Sequence, residues 1–169
     1  MNEIFLRYAI QADAGFLFKL VNERECRKNS LNSKEISLES HMAWFHEILH
    51  SEKKRQYILI EGSKPVGQGR LESNGETCRI SYSIIPERRG CGYGKYLIQL
   101  LGNVAVKDFP ECISCFGEVI RENIASQKIF MGLGYNVEKR DNYFYYYKNI
   151  KYCKADQELI EKPEGFILK

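Results

Sequence analysis

The sequence ISYSIIPERRGCGYGKYLIQLL, residues 80–101, contains three patterns in a fixed order. An extended, largely apolar run at 78–85 leads into a basic, glycine-rich turn at 86–94, and apolar residues at helical spacing follow over 95–106. The N-terminus of a helix presents unpaired backbone N–H groups and the positive end of the helix dipole to the turn before it. The stretch therefore predicts a strand, a turn and a helix that together bind an anion.

The predicted turn carries three glycines and three cations. Without Cβ atoms, the backbone at Gly90, Gly92 and Gly94 can curl tightly around a pyrophosphate. The accompanying cations are Arg88, Arg89 and Lys95. The glycine spacing does not match GxGxxG, and no Gly-Lys-Ser/Thr ends the loop, which argues against a dinucleotide or nucleoside triphosphate site.

The turn does satisfy the pattern Arg-x-x-Gly-x-Gly, through Arg89, Gly92 and Gly94. This pattern resembles the coenzyme A pyrophosphate loop of the GNAT superfamily, the acetyl-CoA-dependent N-acyltransferases. The resemblance implies coenzyme contacts from the strand end and the loop, at Ile84, Ile85, Arg89, Gly90, Cys91, Gly92, Tyr93, Gly94 and Lys95. A plain glycine-rich connection at a helix start satisfies the same short pattern, so a second match is needed.

The second match is GEVIRENIASQKIFMGLGY, residues 117–135. It resembles the second GNAT block, in which a strand ends in Glu-Val, an Asn begins a helix, and an aromatic residue and Leu-Gly-aromatic follow. The resemblance implies that Asn123 bonds the pantetheine or nearby backbone, that Ser126 lies on the first helical turn, and that Phe130 and Leu133 lie near the thioester end or beneath it. A helix cap and an amphipathic core face explain each residue singly, but not both blocks at the family's separation.

Hydrophobic periodicity predicts the element order β-α-α-β-β-β-α-β-α-β-β over residues 3–150. Residues 24–35 are polar and irregular and are predicted to form a loop, after which Ser37 caps the second helix. A turn is expected at 61–65, and Asn-Gly at 74–75 predicts a hairpin.

The resemblance covers roughly residues 3–150 and implies an α/β (α+β) fold of the GNAT type. We expect a mixed central sheet of about seven strands, flanked by about four helices and splayed between the fourth and fifth strands at the acetyl-CoA site. The chain is accordingly divided into a GNAT N-acetyltransferase domain at 1–150 and a C-terminal tail at 151–169.

The composition narrows the class of protein. A hydrophobic content of 44% and a charged content of 28% are ordinary for a globular domain, and a net charge of +3 is too small to favour nucleic acid as a partner. We expect no membrane segment and no signal peptide, and hence a cytoplasmic monomer or homodimer whose 6 cysteines are reduced.

No metal site is predicted. Cys112 and Cys115 form a CxxC pair that we place inside one strand, where residues three apart point to opposite faces. His46 and His50 are spaced to share a helix face, but no third ligand is indicated.

The resemblance implies a base and an oxyanion site for acetyl transfer. Glu118 stands where protein N-terminal acetyltransferases of the superfamily have a base, although a strand-end carboxylate paired with an arginine is an equal alternative. Backbone N–H groups near Ile84 and Ile85 would stabilise the oxyanion. Many members carry a Tyr acid seven residues after the Asn, where this chain has Phe130. Tyr82, Ser126, Tyr145 or water would then protonate the thiolate, or it would leave unassisted.

The acceptor is expected between the first two helices, their loop and the last strands. RKNSLNSKEISLESHMAWF, residues 27–45, resembles the nucleotide-sugar N-acetyltransferases of pseudaminic-acid-type biosynthesis. The acceptor residues implied are Arg27, Asn29, Ser30, His41, Trp44 and Tyr145. The leading hypothesis is therefore acetyl transfer to a nucleotide-linked amino sugar; the alternatives are a protein N-terminal or lysine acetyltransferase and a non-catalytic acyl-CoA-binding module.

Overall fold

The computed structural model describes residues 3–150, so Cys153 and the predicted tail at 151–169 lie outside the described residues. This part of the chain forms seven strands and five α-helices. In chain order they are β1 Ile4–Tyr8, α1 Ala14–Val21, α2 Arg24–Lys28, α3 Leu38–Leu49, β2 Lys54–Glu61, β3 Lys64–Ser73, β4 Thr77–Ile84, α4 Tyr93–Asp108, β5 Ser114–Ile120, α5 Ile124–Gly132, β6 Asn136–Lys139 and β7 Tyr143–Asn149, with short 3-10 turns at Gln11–Asp13 and Pro86–Arg88.

The strands form one mixed sheet in the order β1-β2-β3-β4-β5-β7-β6. Only β4 and β5 run parallel, and their pairing is limited to Thr77–Ser114, Cys78–Cys115 and Arg79–Phe116. Beyond these rungs β4 continues to Ile84 along β3, while β5 continues to Ile120 along β7. The two strands therefore diverge, which confirms the predicted splay and opens a gap in the middle of the sheet.

Helices cover the two faces of the sheet unequally. Side chains alternate along a strand, so residues two apart share a face. On one face, α4 and α5 pack against the sheet around Leu97, Leu101 and Phe130 in the larger core. On the other face, α1 and α3 pack around Leu17 and Phe45 over β1 and β2. The second face of β4 and β5 carries polar side chains, and these border the gap.

The prediction of a loop throughout 24–35 is wrong, because α2 occupies Arg24–Lys28. The Glu23 carboxylate caps this short helix by accepting hydrogen bonds from the backbone N–H groups of Glu25 and Cys26. Every position of α2 except Cys26 is charged, so the sequence lacks the apolar periodicity that indicates longer helices. With α2, the described residues contain five α-helices, where about four were expected.

Two smaller boundaries also differ from the predictions. Pro65 lies inside β3 instead of a turn, opposite Ile60 at an irregularity in the β2–β3 register. Cys112 precedes β5 instead of lying within it, and its Sγ is 3.3 Å from Ser73 Oγ, whereas Cys115 lies in β5 opposite Cys78. All three cysteines are buried.

Candidate active site

A cleft of about 670 Å³ lies at the gap between β4 and β5. One wall comes from α2, the segment after it and α3, and the other comes from the start of α5. The floor is formed by β3, β4 and β5. The charged residues in the lining are four arginines and two glutamates: Arg27, Arg70, Arg79, Arg89, Glu25 and Glu118.

The glycine-rich loop has the geometry that an anion cradle requires. Gly90 and Gly92 have φ angles of 75° and 88°, in the left-handed region that favours glycine. Gly92 is the N-cap of α4, and an added Cβ at either glycine would meet no atom within 4 Å. Open space, a helix N-terminus and curled backbone therefore meet here, and they fit a pyrophosphate.

The arginines of this loop are bound to carboxylates of the chain itself. Arg88 contacts Glu61 Oε2 at 2.7 Å, and Glu61 Oε1 accepts a 2.7 Å hydrogen bond from the Tyr93 hydroxyl. Arg89 donates to Ile84 O at 3.0 Å and forms an ion pair with Glu23. The predicted coenzyme residues Arg89 and Tyr93 therefore hold the loop in place through contacts within the chain. Cys91 and Lys95 are exposed.

The ion pair between Arg89 and Glu23 also joins the coenzyme loop to the cleft wall that α2 and α3 form. The hydrogen bond from Arg89, followed by those from the α2 backbone, lowers the pKa of Glu23 to about 2. Glu23 is therefore charged at neutral pH, as its capping role requires.

Of the two predicted backbone donors at the end of β4, only one faces the gap. Ile85 N donates to Val66 O of the β3 segment at 3.0 Å, so it is not available to a ligand. In an antiparallel ladder the amides alternate in direction, which turns those of Ile84 and Tyr82 away from β3 and towards the gap. The prediction for Ile85 is therefore corrected, and Tyr82 N–H is a donor that the sequence had not indicated.

The start of α5 is organised by Asn123 and Ser126. Asn123 Oδ1 accepts a 3.1 Å hydrogen bond from Ser126 N and caps the helix. The Asn123 Nδ2 group donates to no residue between 3 and 150. Tyr82 OH donates to Ser126 Oγ at 3.0 Å, and burial raises the pKa of Tyr82. All three residues line the cleft.

Phe130 belongs mainly to the core beneath the cleft. Only 1% of its surface is exposed, and its ring packs against those of Tyr135 and Tyr146 at centroid distances of 4.9 and 5.4 Å. The ring also lies against Gly117 of β5, where a Cβ would come within 2.4 Å of Phe130 Cζ. Phe130 touches the cleft only with its edge, so its predicted contact with the thioester is a minor one.

Glu118 lies on the cleft floor and has an arginine partner. Its Oε2 is 2.7 Å from Arg79 Nη2, and Arg79 Nη1 is 3.8 Å from Glu72 Oε2. About a fifth of the Glu118 side chain, 19%, remains exposed. The carboxylate is therefore paired with an arginine, as one alternative from the sequence held, and it also lines the cleft; its role as a base stays a prediction.

The predicted acceptor residues of the first wall divide into structural and accessible groups. Arg27 donates to the carbonyl oxygens of Val21, Asn32 and Lys34 and to Ser30 Oγ. Four of its five N–H donors are thus used to hold α2 against the segment after it. Asn29 is the C-cap of α2, and both it and Ser30 line the cleft.

The remaining predicted acceptor residues are placed differently from one another. His41 is 1% exposed, and its Nε2 is hydrogen-bonded to Ala14 O at 3.1 Å, so it supports the wall instead of offering a donor. Burial lowers the pKa of His41, which keeps it neutral. Trp44 is half-buried and lines the cleft. Tyr145 is paired with Glu118 in register but lies outside the lining.

Arg70 of β3 is one of the charged lining residues that the sequence analysis did not single out. Its guanidinium carbon lies 5.4 Å from the centroid of the Trp44 ring, and its Nε lies 3.0 Å from Glu72 Oε1. The only available signal was a charge at an inward position of a half-buried strand, which is unusual but not specific.

The described part of the chain provides neither a metal cluster nor a membrane helix. Residues 3–150 contain no group of three His, Cys, Asp or Glu side chains placed to hold a metal ion. The ring centroids of His46 and His50 are 4.5 Å apart with their planes tilted by 35°, and His50 Nδ1 lies 2.8 Å from His46 O. No helix within these residues is long and apolar enough to cross a membrane.

Solved structures share the fold at low sequence identity. A spermidine N-acetyltransferase from Vibrio cholerae, in complex with CoA and spermine, superposes with a TM-score of 0.78 at 16% identity, over 87% of this chain and 95% of that chain. A putative acetyltransferase from Salmonella typhimurium with acetyl-CoA gives 0.73 at 16%, over 89% and 96%. An aminoglycoside acetyltransferase in complex with coenzyme A gives 0.74 at 15%, over 92% and 98%.

Comparison with curated protein sequences gives no significant match. The family profile of the acetyltransferase (GNAT) domain, in contrast, matches residues 3–136, most of the chain. The matched residues include β1 to β5, the glycine-rich loop and α5. The chain therefore belongs to the GNAT acetyltransferase family and is an N-acetyltransferase that uses acetyl-CoA.

Proposed function

We propose that the acceptor is a nucleotide-linked amino sugar whose primary amine receives the acetyl group. The observation that carries this proposal is the charge of the cleft lining, which has four arginines and two glutamates. Arg79 is paired with Glu118, and Arg89 is paired with Glu23. Arg70 Nε is 3.0 Å from Glu72, while its terminal nitrogens donate to no described residue. The structural relatives bind spermine or act on aminoglycosides, which are polycations. Such ligands call for acidic surroundings, whereas arginines favour phosphate groups.

The coenzyme end of the proposed site uses backbone groups. Acetyl-CoA supplies the acetyl group as an activated thioester. The loop at Gly90 and Gly92 would hold its pyrophosphate, and Asn123 Nδ2 would bond the pantetheine arm. The N–H of Ile84 would donate to the carbonyl oxygen as negative charge develops there.

Glu118 is the proposed base. An amine must lose a proton as it attacks a carbonyl, and a carboxylate on the cleft floor can accept that proton directly or through one water. The 2.7 Å ion pair with Arg79 fixes the direction of the Glu118 carboxylate. Exposure of 19% leaves the carboxylate within reach of ligand.

Ser126 and Tyr82 are proposed to stabilise the departing sulfur by hydrogen bonding. Tyr82 donates to Ser126 Oγ, which leaves the Ser126 proton free to point elsewhere. Burial raises the pKa of Tyr82 above that of a thiol, so complete transfer of its proton to a thiolate is unfavourable. The pair thus acts as an oriented donor, and the thiolate takes its proton later from water.

We expect Ser126→Ala to lower kcat about five- to tenfold, the size of one hydrogen bond, with little change in the KM for acetyl-CoA. Tyr82→Phe should have a similar effect, and the double variant should be no slower than Ser126→Ala, because Tyr82 acts through Ser126. Since the Tyr82 pKa lies above its ordinary value of 10, kcat should show no fall between pH 8 and 10. Additive losses, or a fall of kcat in that range, would contradict this assignment.

The acceptor proposal is tested by measuring release of free CoA thiol with a panel of amines. The panel holds UDP- and dTDP-linked 4-amino sugars, spermidine, an aminoglycoside and N-terminal peptides, with a control lacking any acceptor. Turnover restricted to the nucleotide-linked sugars is the expected result. Faster turnover with spermidine or the aminoglycoside would overturn the acceptor class and leave the family assignment intact.

A further inference from the structure

We propose that Arg70 binds a negatively charged group of the acceptor, at the end of the acceptor opposite its amine. We call this position the anion seat. This inference rests on the proposed function and adds the place and direction in which the acceptor binds. It assigns a residue that neither sequence motif includes.

Arg70 differs from the other cleft arginines in its hydrogen bonding. Arg27 and Arg89 donate hydrogen bonds to carbonyl oxygens, and both terminal nitrogens of Arg79 approach carboxylates. Arg70 is ion-paired only through Nε, which is buried and lies 3.0 Å from Glu72 Oε1 without forming a hydrogen bond with a described residue. Its two terminal nitrogens donate to no residue between 3 and 150. The Arg70 side chain is 24% exposed, so a ligand or water can reach these donors, which are costly to leave unsatisfied.

The surroundings of Arg70 fit an anionic ligand group. Burial lowers the pKa of Arg70, the charge of Glu72 opposes this shift, and the charge of Arg79 adds to it. The guanidinium carbon lies over the Trp44 ring, 5.4 Å from the ring centroid. A planar guanidinium with its edge open to the cleft is the geometry that binds phosphate through two parallel hydrogen bonds.

The sheet register gives the distance between this seat and the base. Arg70 of β3 is directly opposite Ser81 of β4. Continuing the parallel register from the pair Arg79–Phe116 places Glu118 of β5 level with Ser81, across the gap. Two strand spacings separate the backbones of Arg70 and Glu118 by roughly 10 Å, and the splay adds to this. The small Ser81 side chain leaves the space between them open.

The acceptor therefore lies across Ser81, with its amine towards Glu118 and its anion on Arg70. A separation of roughly 10 Å suits a sugar ring with an amine at one end and a phosphate beyond the other. An α-amino acid, whose amine and carboxylate share one carbon, is too short to span the two residues. An amine without any anion would leave the Arg70 donors unsatisfied.

The test uses Arg70→Gln and Arg70→Lys, with Arg55→Gln as the matched control. Arg55 also lies over an aromatic ring, that of Phe109 at 5.7 Å, but it is outside the cleft. The substrates are a UDP-linked 4-amino sugar and the same amino sugar without the nucleotide. We expect Arg70→Gln to raise the KM for the UDP-linked sugar about tenfold or more, with kcat nearly unchanged. Arg70→Lys should recover part of the loss, because lysine keeps the positive charge but lacks the two parallel donors of the guanidinium.

A second measurement separates failure of this inference from failure of the proposed function. Binding of UDP alone is measured by calorimetry, which requires no turnover. Weaker UDP binding by Arg70→Gln, with Arg55→Gln like the unsubstituted protein, supports the anion seat even if no sugar of the panel is acetylated. Equal effects of Arg70→Gln on both sugars would overturn the anion seat, and so would UDP binding that Arg70→Gln leaves unchanged. In either case, acetylation of the UDP-linked sugar would still support the proposed function.

Discussion

Replacing Glu118 by Gln is expected to lower kcat/KM for the amine by about 100-fold or more at neutral pH. The substitution keeps the shape of the side chain and an oxygen for Arg79, but it removes the group that accepts the proton of the attacking amine. General base catalysis typically contributes between 10² and 10⁴ in rate. The measurement is steady-state release of CoA thiol from acetyl-CoA over a range of amine concentrations.

The control for Glu118→Gln is Glu138→Gln. Glu138 is also a strand carboxylate bound to an arginine, 2.6 Å from Arg140 Nη2, but it does not line the cleft. Exposed pairs of this kind contribute little, so its activity should stay within about twofold. The KM for acetyl-CoA should be unchanged in both variants, because neither residue lies in the coenzyme loop. A Glu118→Gln enzyme with nearly full kcat would exclude Glu118 as the base.

The fold was predictable to the extent that its signals are local in the chain. Glycines at 90 and 92 and the alternation of β4 are properties of short segments, and they indicated the strand, the loop and the following helix. Asn-Gly at 74–75 likewise gave the hairpin between β3 and β4. The short helix α2 escaped because its stability comes from Glu23, which in turn is held by the distant Arg89.

The geometry of the coenzyme loop was predictable from the sequence, and that of the acceptor side only partly. The loop depends on backbone conformations that glycine and Asn positions specify. The acceptor side depends on which side chains are left with unused donors after folding. Arg27 was expected to be available and is occupied by carbonyl oxygens, whereas Arg70 was not considered and is paired only through Nε. Hydrogen-bond partners of this kind come from tertiary structure, which no short pattern records.

Gly117→Ala is expected to destabilise the protein by about 1–3 kcal/mol, the usual effect of overpacking a core. A Cβ at position 117 would lie 2.4 Å from Phe130 Cζ and 3.0 Å from both Cε atoms. Phe130 cannot move away cheaply, because Tyr135 and Tyr146 enclose its ring. The matched control is Gly102→Ala in the middle of α4, where a Cβ meets nothing within 4 Å and should stabilise the helix by about 0.5–1 kcal/mol.

The opposite signs of these two substitutions make urea unfolding a direct test of the packing beneath the cleft. Alanine normally suits a strand better than glycine does, so without the collision Gly117→Ala would also be stabilising. Shortening the ring by Phe130→Leu removes the obstacle, and the double variant should be more stable than the sum of the single effects predicts. Additive effects, or a Gly117→Ala protein as stable as the unsubstituted one, would show that Phe130 does not pack against Gly117. The same contact holds α5 against β5, and Ser126 lies one helical turn before Phe130, so Gly117→Ala should also lower kcat through displacement of Ser126 from Tyr82.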